Sequence, residues 1–166
     1  MIPSDHFVRF YNEIFKYLEK QGPAAMREYY DTISEHQAEH CLELFTENGI
    51  RGMKEYWDSI RKEENCDSDV VAYSETVYSV CMNNCPSLSK VLDNDAAPSP
   101  IYCRHCPGWV LPLFTRCGYY CVYDLVGLDI PRCQQSVFRN QADAAAYRDK
   151  VLKRHPGHPE LVESNF

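Results

Sequence analysis

The sequence predicts an α+β fold, with a helical N-terminal layer packed on an antiparallel sheet of three or more strands. Three observations predict it. Apolar residues recur at three- and four-residue steps through the first third of the chain; the period changes to alternation at VVAYSETVYSVCM; and two further runs rich in β-branched and aromatic residues follow helical segments. The resulting order, α-α-α-β-α-α-β-β-α, suits helices gathered on one face or at one end of a sheet.

Taken in order, Ser4 can cap a first helix whose Phe7, Phe10, Tyr11, Ile14, Phe15 and Leu18 make one apolar stripe. Gly22 and Pro23 end it and begin a second, from about Pro23 to Asn48, which Gly49 closes. A third, IRGMKEYWDSIRKEEN, carries Ile50, Met53, Tyr56, Trp57 and Ile60 on one side. VVAYSETVYSVCM reads as one strand, and Cys85 with Pro86 opens a short helix, PSLSKVLD. After the loop DNDAAPSP, the segment PGWVLPLFTRCG reads as a helix with Pro107 in its first turn, an irregularity at Pro112 and Gly118 at its end. GYYCVYDLV and CQQSVFRN are strands separated by the turn-like GLDIPR, and Asn140 with Asp143 caps a last helix, QADAAAYRDKVLKR. With no internal repeat, the chain reads as one domain: a helical layer over 1–65, an α+β part over 66–154 and a frayed tail over 155–166.

At 166 residues the chain can bury a core without covalent staples, so stability does not explain its nine cysteines. A net charge of −7, with Lys and Arg scattered rather than striped, argues against a nucleic-acid partner. The N-terminus lacks a charged region followed by an apolar run, and no run approaches the roughly eighteen residues of a membrane span. These features predict a soluble, cytoplasmic protein with no membrane partner. In that compartment thiols stay reduced, and an odd number cannot pair fully within one chain. Seven of the nine fall between positions 81 and 133, which points to chemistry in the C-terminal half. No glycine-rich phosphate loop, dinucleotide fingerprint or Ser-His-Asp arrangement is present, so no nucleotide cofactor is expected.

The densest stretch is IYCRHCPGW, residues 101–109. Cys103 and Cys106 have the spacing of a zinc turn, in which two thiolates sit roughly 2.3 Å from one metal. The second pair of a zinc ribbon is missing. A four-thiolate zinc or iron–sulfur site from Cys85, Cys103, Cys106 and Cys133 is one reading; reduced structural thiols are the other. Cys117 and Cys121 read as small apolar fillers. Near a helix start, and with Arg104 close by, Cys106 is expected to be the most reactive thiol.

In ISEHQAEHCLELF, Gln37 and His40 fall inside the apolar stripe of the second helix, and His36 lies at its edge. His36, Glu39 and His40 match the His-x-x-Glu-His pattern of inverted zinc peptidases, but Glu39 points roughly 100° away from His40. Gln37 and His40 therefore face either a polar pocket beneath the helical layer or a hydrogen-bonded place in the core. Asp124, in an apolar strand, marks either a solvated edge or a proton-transfer site.

The segments NCPSLSKVL, YCRHCPGWVLPLFTRCGYY, the strand bearing Asp124, and RCQQSVF resemble the L-2-amino-thiazoline-4-carboxylic acid hydrolase-like family over about residues 24–140. The resemblance implies an α+β fold with a small-molecule site and hydrolytic opening of a sulfur-containing ring. The chain departs from the family in its extra cysteines and in His105 between two of them. The expected function is binding of a small molecule between helices and sheet, with hydrolysis of a small sulfur- or nitrogen-containing compound. In it Cys106 is nucleophile or metal ligand, His40 the proton carrier and Asp124 its carboxylate partner, while Gln37, His36 and Trp109 contact the ligand. The alternative is a non-catalytic zinc-binding, redox- or ligand-sensing module. A homodimer formed through the aromatic first helix is a third expectation.

Overall fold

The computed structural model describes residues 5–93 and 97–166, apart from the side chain of Asp5; the Ser4 cap lies outside them. The described residues form five α-helices and five strands, α1 Asp5–Gln21, α2 Pro23–Glu63, β1 Asp67–Tyr73, β2 Val77–Asn84, α3 Pro86–Leu92, α4 His105–Cys117, β3 Tyr120–Asp124, β4 Cys133–Phe138, α5 Gln141–Leu152 and β5 Val162–Ser164. The strands form one antiparallel sheet in the order β1-β2-β4-β3-β5. The fold is α+β. Among the described residues no helix is long and apolar enough to cross a membrane.

The second and third expected helices meet at Gly49, where the backbone leaves helical geometry (φ 55°, ψ −138°), and together they make up α2. The run read as one strand is a hairpin. Ser74 turns it, its N–H donating to the carbonyl of Val77 and its hydroxyl accepting from the N–H of Thr76. Arg61 ties the end of α2 to β1, donating from Nε to the hydroxyl of Ser68 at 2.6 Å and from Nη2 to its carbonyl at 2.6 Å.

Side-chain alternation sorts the sheet into two faces. Tyr78, Val80, Cys121, Tyr123, Leu125 and Val137 join Ala38, Cys41, Phe45, Val110, Leu113 and Phe114 in the main core beneath α2 and α4. A second cluster of Val8, Phe15, Leu88, Val91 and Tyr102 lies under α1 and α3. Asn12 of α1 fastens the loop beyond α3, donating to the carbonyl of Ala97 at 3.1 Å and accepting from the N–H of Ser99 at 2.7 Å. The stripe expected on α1 is turned: Phe15 is buried, but Phe7 and Phe10 are exposed, and Val8 and Asn12 take the inner positions. The last helix, α5, departs from a one-sided arrangement. It covers the opposite face, where Tyr147 meets Phe138 with ring centroids 5.4 Å apart.

The tail is not frayed. After Gly157 turns the chain, β5 pairs with β3, and the side chain of Asn165 extends the ladder. Its oxygen accepts from the N–H of Cys121 at 2.8 Å and its nitrogen donates to the carbonyl of Tyr119 at 2.8 Å. Three strand residues are too few to read from sequence as a strand; a side-chain amide and the packing of Phe166 on Tyr120 supply the rest.

Candidate functional site

Cysteine is a poor helix cap, yet Cys85 caps α3, its sulfur accepting from the N–H of Leu88 at 3.5 Å. Cys103 lies in the 3-10 turn Tyr102–Arg104, Cys106 in the first turn of α4, and Cys133 opens β4. These four sulfurs converge. With Tyr102, His105, Tyr123, Leu125 and Pro131 they line one cavity of about 30 Å³, space for about one or two water molecules.

Inside that cavity the next residue to Cys106 is its partner. The Nδ1–H of His105 donates to the carbonyl of Tyr102, which leaves Nε2 unprotonated and 3.3 Å from the sulfur of Cys106. The thiol therefore donates to the imidazole. Rings close the imidazole off from water: Trp109 at 4.7 Å between centroids, Tyr102 at 5.1 Å and Phe15 at 5.4 Å. Burial disfavours the imidazolium and lowers the pKa of His105 to about 4, with the Tyr102 carbonyl pulling weakly the other way. Burial likewise pushes the Cys106 thiol up to about 11. Thiol, imidazole and orienting carbonyl thus stand in a hydrogen-bonded chain, in the neutral form.

This corrects the expected thiolate: desolvation outweighs the helix dipole, and Arg104 turns elsewhere. Its Nη2 donates to the carbonyl of Glu160 at 3.4 Å, and its Nε lies 3.8 Å from Glu163. Burial and the neighbouring thiols also raise Cys103, to about 12, and Cys85. Cys133 is raised well above its ordinary value by the same causes. The four-thiolate metal site does not fit. Among the described residues no group of three or more His, Cys, Asp or Glu side chains is placed to hold a metal ion. The thiol of Cys103 donates to the carbonyl of Leu128 at 3.6 Å and that of Cys106 to His105, so each sulfur is turned to its own partner.

Four other expected residues are elsewhere. His40 and His36 are exposed on α2, and His36 stands 3.9 Å from the exposed Glu39. The buried face of this part of α2 is set by Ser34, Ala38, Cys41 and Phe45, which rotates His40 outward. Small residues mark the contact face here, and a stripe drawn through large apolar residues misses it. Gln37 is half-buried near Tyr56 and lines neither the thiol cavity nor the groove described next. Asp124 is buried on the α5 face, the side of the sheet away from Cys106. It accepts from the N–H of Val126 at 3.1 Å and pairs with His155 at 2.7 Å and Arg154 at 3.4 Å. Trp109 packs against His105 with its ring tilted at 53°, but it lines neither the thiol cavity nor the groove.

Beside the thiols, a groove of about 700 Å³ runs between the start of α2 and α4, lined by Met26, Tyr30, Ile101, Arg104, Leu111 and Glu163 among others. Tyr30 borders both places: it lines the groove, and Cys106 is near enough to help raise its phenol pKa after burial, the larger cause. The sequence signal for His105 was its adjacency to Cys106. Tyr30 and Glu163 are far from that motif in sequence, and nothing local marks them. No family model matches the chain, and no curated protein or solved structure matches it either.

Proposed function

We propose that this protein binds a small organic molecule and hydrolyses a C–N or C–S bond in it, with Cys106 as nucleophile and His105 as base. One observation carries the reading: the Cys106 thiol donates to Nε2 of an imidazole whose other nitrogen is fixed by the Tyr102 carbonyl. The resemblance to the thiazoline-carboxylate hydrolases supports the same class of substrate. In the reaction, sulfur attacks an electrophilic carbon as its proton passes to Nε2, and the buried imidazolium returns that proton to the departing nitrogen or sulfur. Water then cleaves the covalent adduct and restores the thiol. A substrate must displace part of the cavity wall, and the loop bearing Ile130, Pro131 and Arg132 is the segment outside helix and strand that forms it.

The test is a panel of thiazolines, cyclic amidines and thioesters incubated with the full chain, with product analysis and mass spectrometry of acid-quenched protein. An adduct on Cys106 is expected, with turnover abolished in Cys106→Ser, reduced about 10²-fold or more in Asp or Gln variants of His105, and unchanged in His40→Ala. Turnover surviving in Cys106→Ser, or no adduct from any compound, removes the reading. A non-catalytic thiol sensor is the second reading, favoured by four neutral sulfurs around one cavity. It gives no product from any compound and a loss of titratable thiols on mild oxidation.

A further inference from the structure

We infer that the groove between α2 and α4 is a binding site for a small molecule with an apolar body and a single carboxylate, which Arg104 and Tyr30 hold. The groove's volume of about 700 Å³ lies within the roughly 300–1,000 Å³ usual for small-molecule sites. Met26, Ile101, Leu111 and three prolines, Pro23, Pro107 and Pro112, give it apolar walls. Against those walls stand two polar atoms whose capacity is unused. The hydroxyl of Tyr30 and Nε of Arg104 are both buried and have no hydrogen-bond partner among the described residues.

Both atoms are donors. The guanidinium is always charged, and burial keeps the phenol protonated. Leaving them unmet is costly, and an acceptor that meets both removes the cost. Glu163 does not serve: at 3.8 Å from Nε it is an ion-pair neighbour beyond hydrogen-bond reach. A carboxylate fits two donors and one guanidinium. A phosphate dianion does not, because Glu19, Asp31 and Glu163 share the lining. The phenol is also held in place. Its ring lies on the backbone of α4 at Gly108, where a Cβ would stand 2.5 Å from it.

Tyr30 borders both the groove and Cys106, so the test removes the thiol and uses the full chain carrying Cys106→Ser. That protein is titrated with 4-phenylbutyrate, 4-phenylbutanamide and inorganic phosphate, and binding is followed by calorimetry and amide NMR shifts. The acid is expected to saturate, the amide to bind about tenfold more weakly or worse, and phosphate to leave the groove signals unmoved. Tyr30→Phe and Arg104→Gln each weaken the acid about tenfold and leave the amide unchanged. Glu163→Gln tightens the acid severalfold by removing a competing anion, a gain that a misfolded variant cannot imitate. Equal binding of acid and amide, no saturation by the acid, displacement by phosphate, or weaker binding in Glu163→Gln each overturns the site. Success here with no Cys106 adduct leaves the groove standing and the hydrolase reading refuted.

Discussion

His105 joins burial, a fixed tautomer and a thiol neighbour in one ring. The same burial that keeps the imidazole neutral beside the Cys106 thiol opposes its protonation, and this has a measurable sign. Its pKa is lowered from 6.5 to about 4, so the unfolded chain binds a proton here at pH values where the native state does not. Stability contributed by neutral His105 is full above about pH 6.5 and is lost as pH falls toward 4, by about 3 kcal/mol in all. Urea melts at pH 7 and pH 4 are expected to show His105→Asn losing less stability on acidification than wild type by about that amount. Equal losses would mean that the ring is solvated. The convergence of Cys85, Cys103, Cys106 and Cys133 was legible because two of them front helices and their motif is dense. The imidazole partner of Cys106 was legible only as a neighbour, since a local sequence does not say which way an imidazole turns. His40 was misplaced for a different reason: its buried neighbours Ser34 and Ala38 are small, and a hydrophobic stripe gives small residues little weight.

Along α2, the break at Gly49 decides how two helical halves share one core. Its φ of 55° with ψ of −138° lies where side chains are strained, and a Cβ added there would stand 2.7 Å from the hydroxyl of Tyr119. Gly49→Ala is expected to destabilise by about 2 kcal/mol or more through strain and collision together. Adding Tyr119→Phe removes the collision alone, because the next ring atom is 3.8 Å away. Denaturant melts of the double variant should recover part of the loss, with coupling that separates the two causes. No recovery would show that backbone strain accounts for all of it. Glycine at this place announced the end of one helix correctly, and the angle at which the next sets off is held by the packing of Phe45 against Trp57, ring centroids 5.3 Å apart.

For the molecule as a whole, the sheet is closed at one edge by its shortest strand. Removing residues 159–166 takes away β5 and leaves the N–H groups of Cys121 and Leu125 without their acceptors, Asn165 and the carbonyl of Leu161. A loss of more than about 2 kcal/mol is expected, with concentration-dependent association through the bared edge of β3, visible in urea melts and sedimentation velocity. A truncated chain as stable as the full one, and with the same oligomeric state, would show the strand to be ornamental. Helix positions and fold class were open to sequence reasoning because each rests on local periodicity. The edge strand, the two faces of the sheet and the groove were not, because they rest on pairings between distant segments.

Tyr30 lying flat on Gly108 makes the gap between two helices as thick as one aromatic ring. Position 108 thereby acts as a spacer of zero length: even a single methyl group there would prise α2 from α4. The width of the neighbouring groove is gauged by the absence of a side chain.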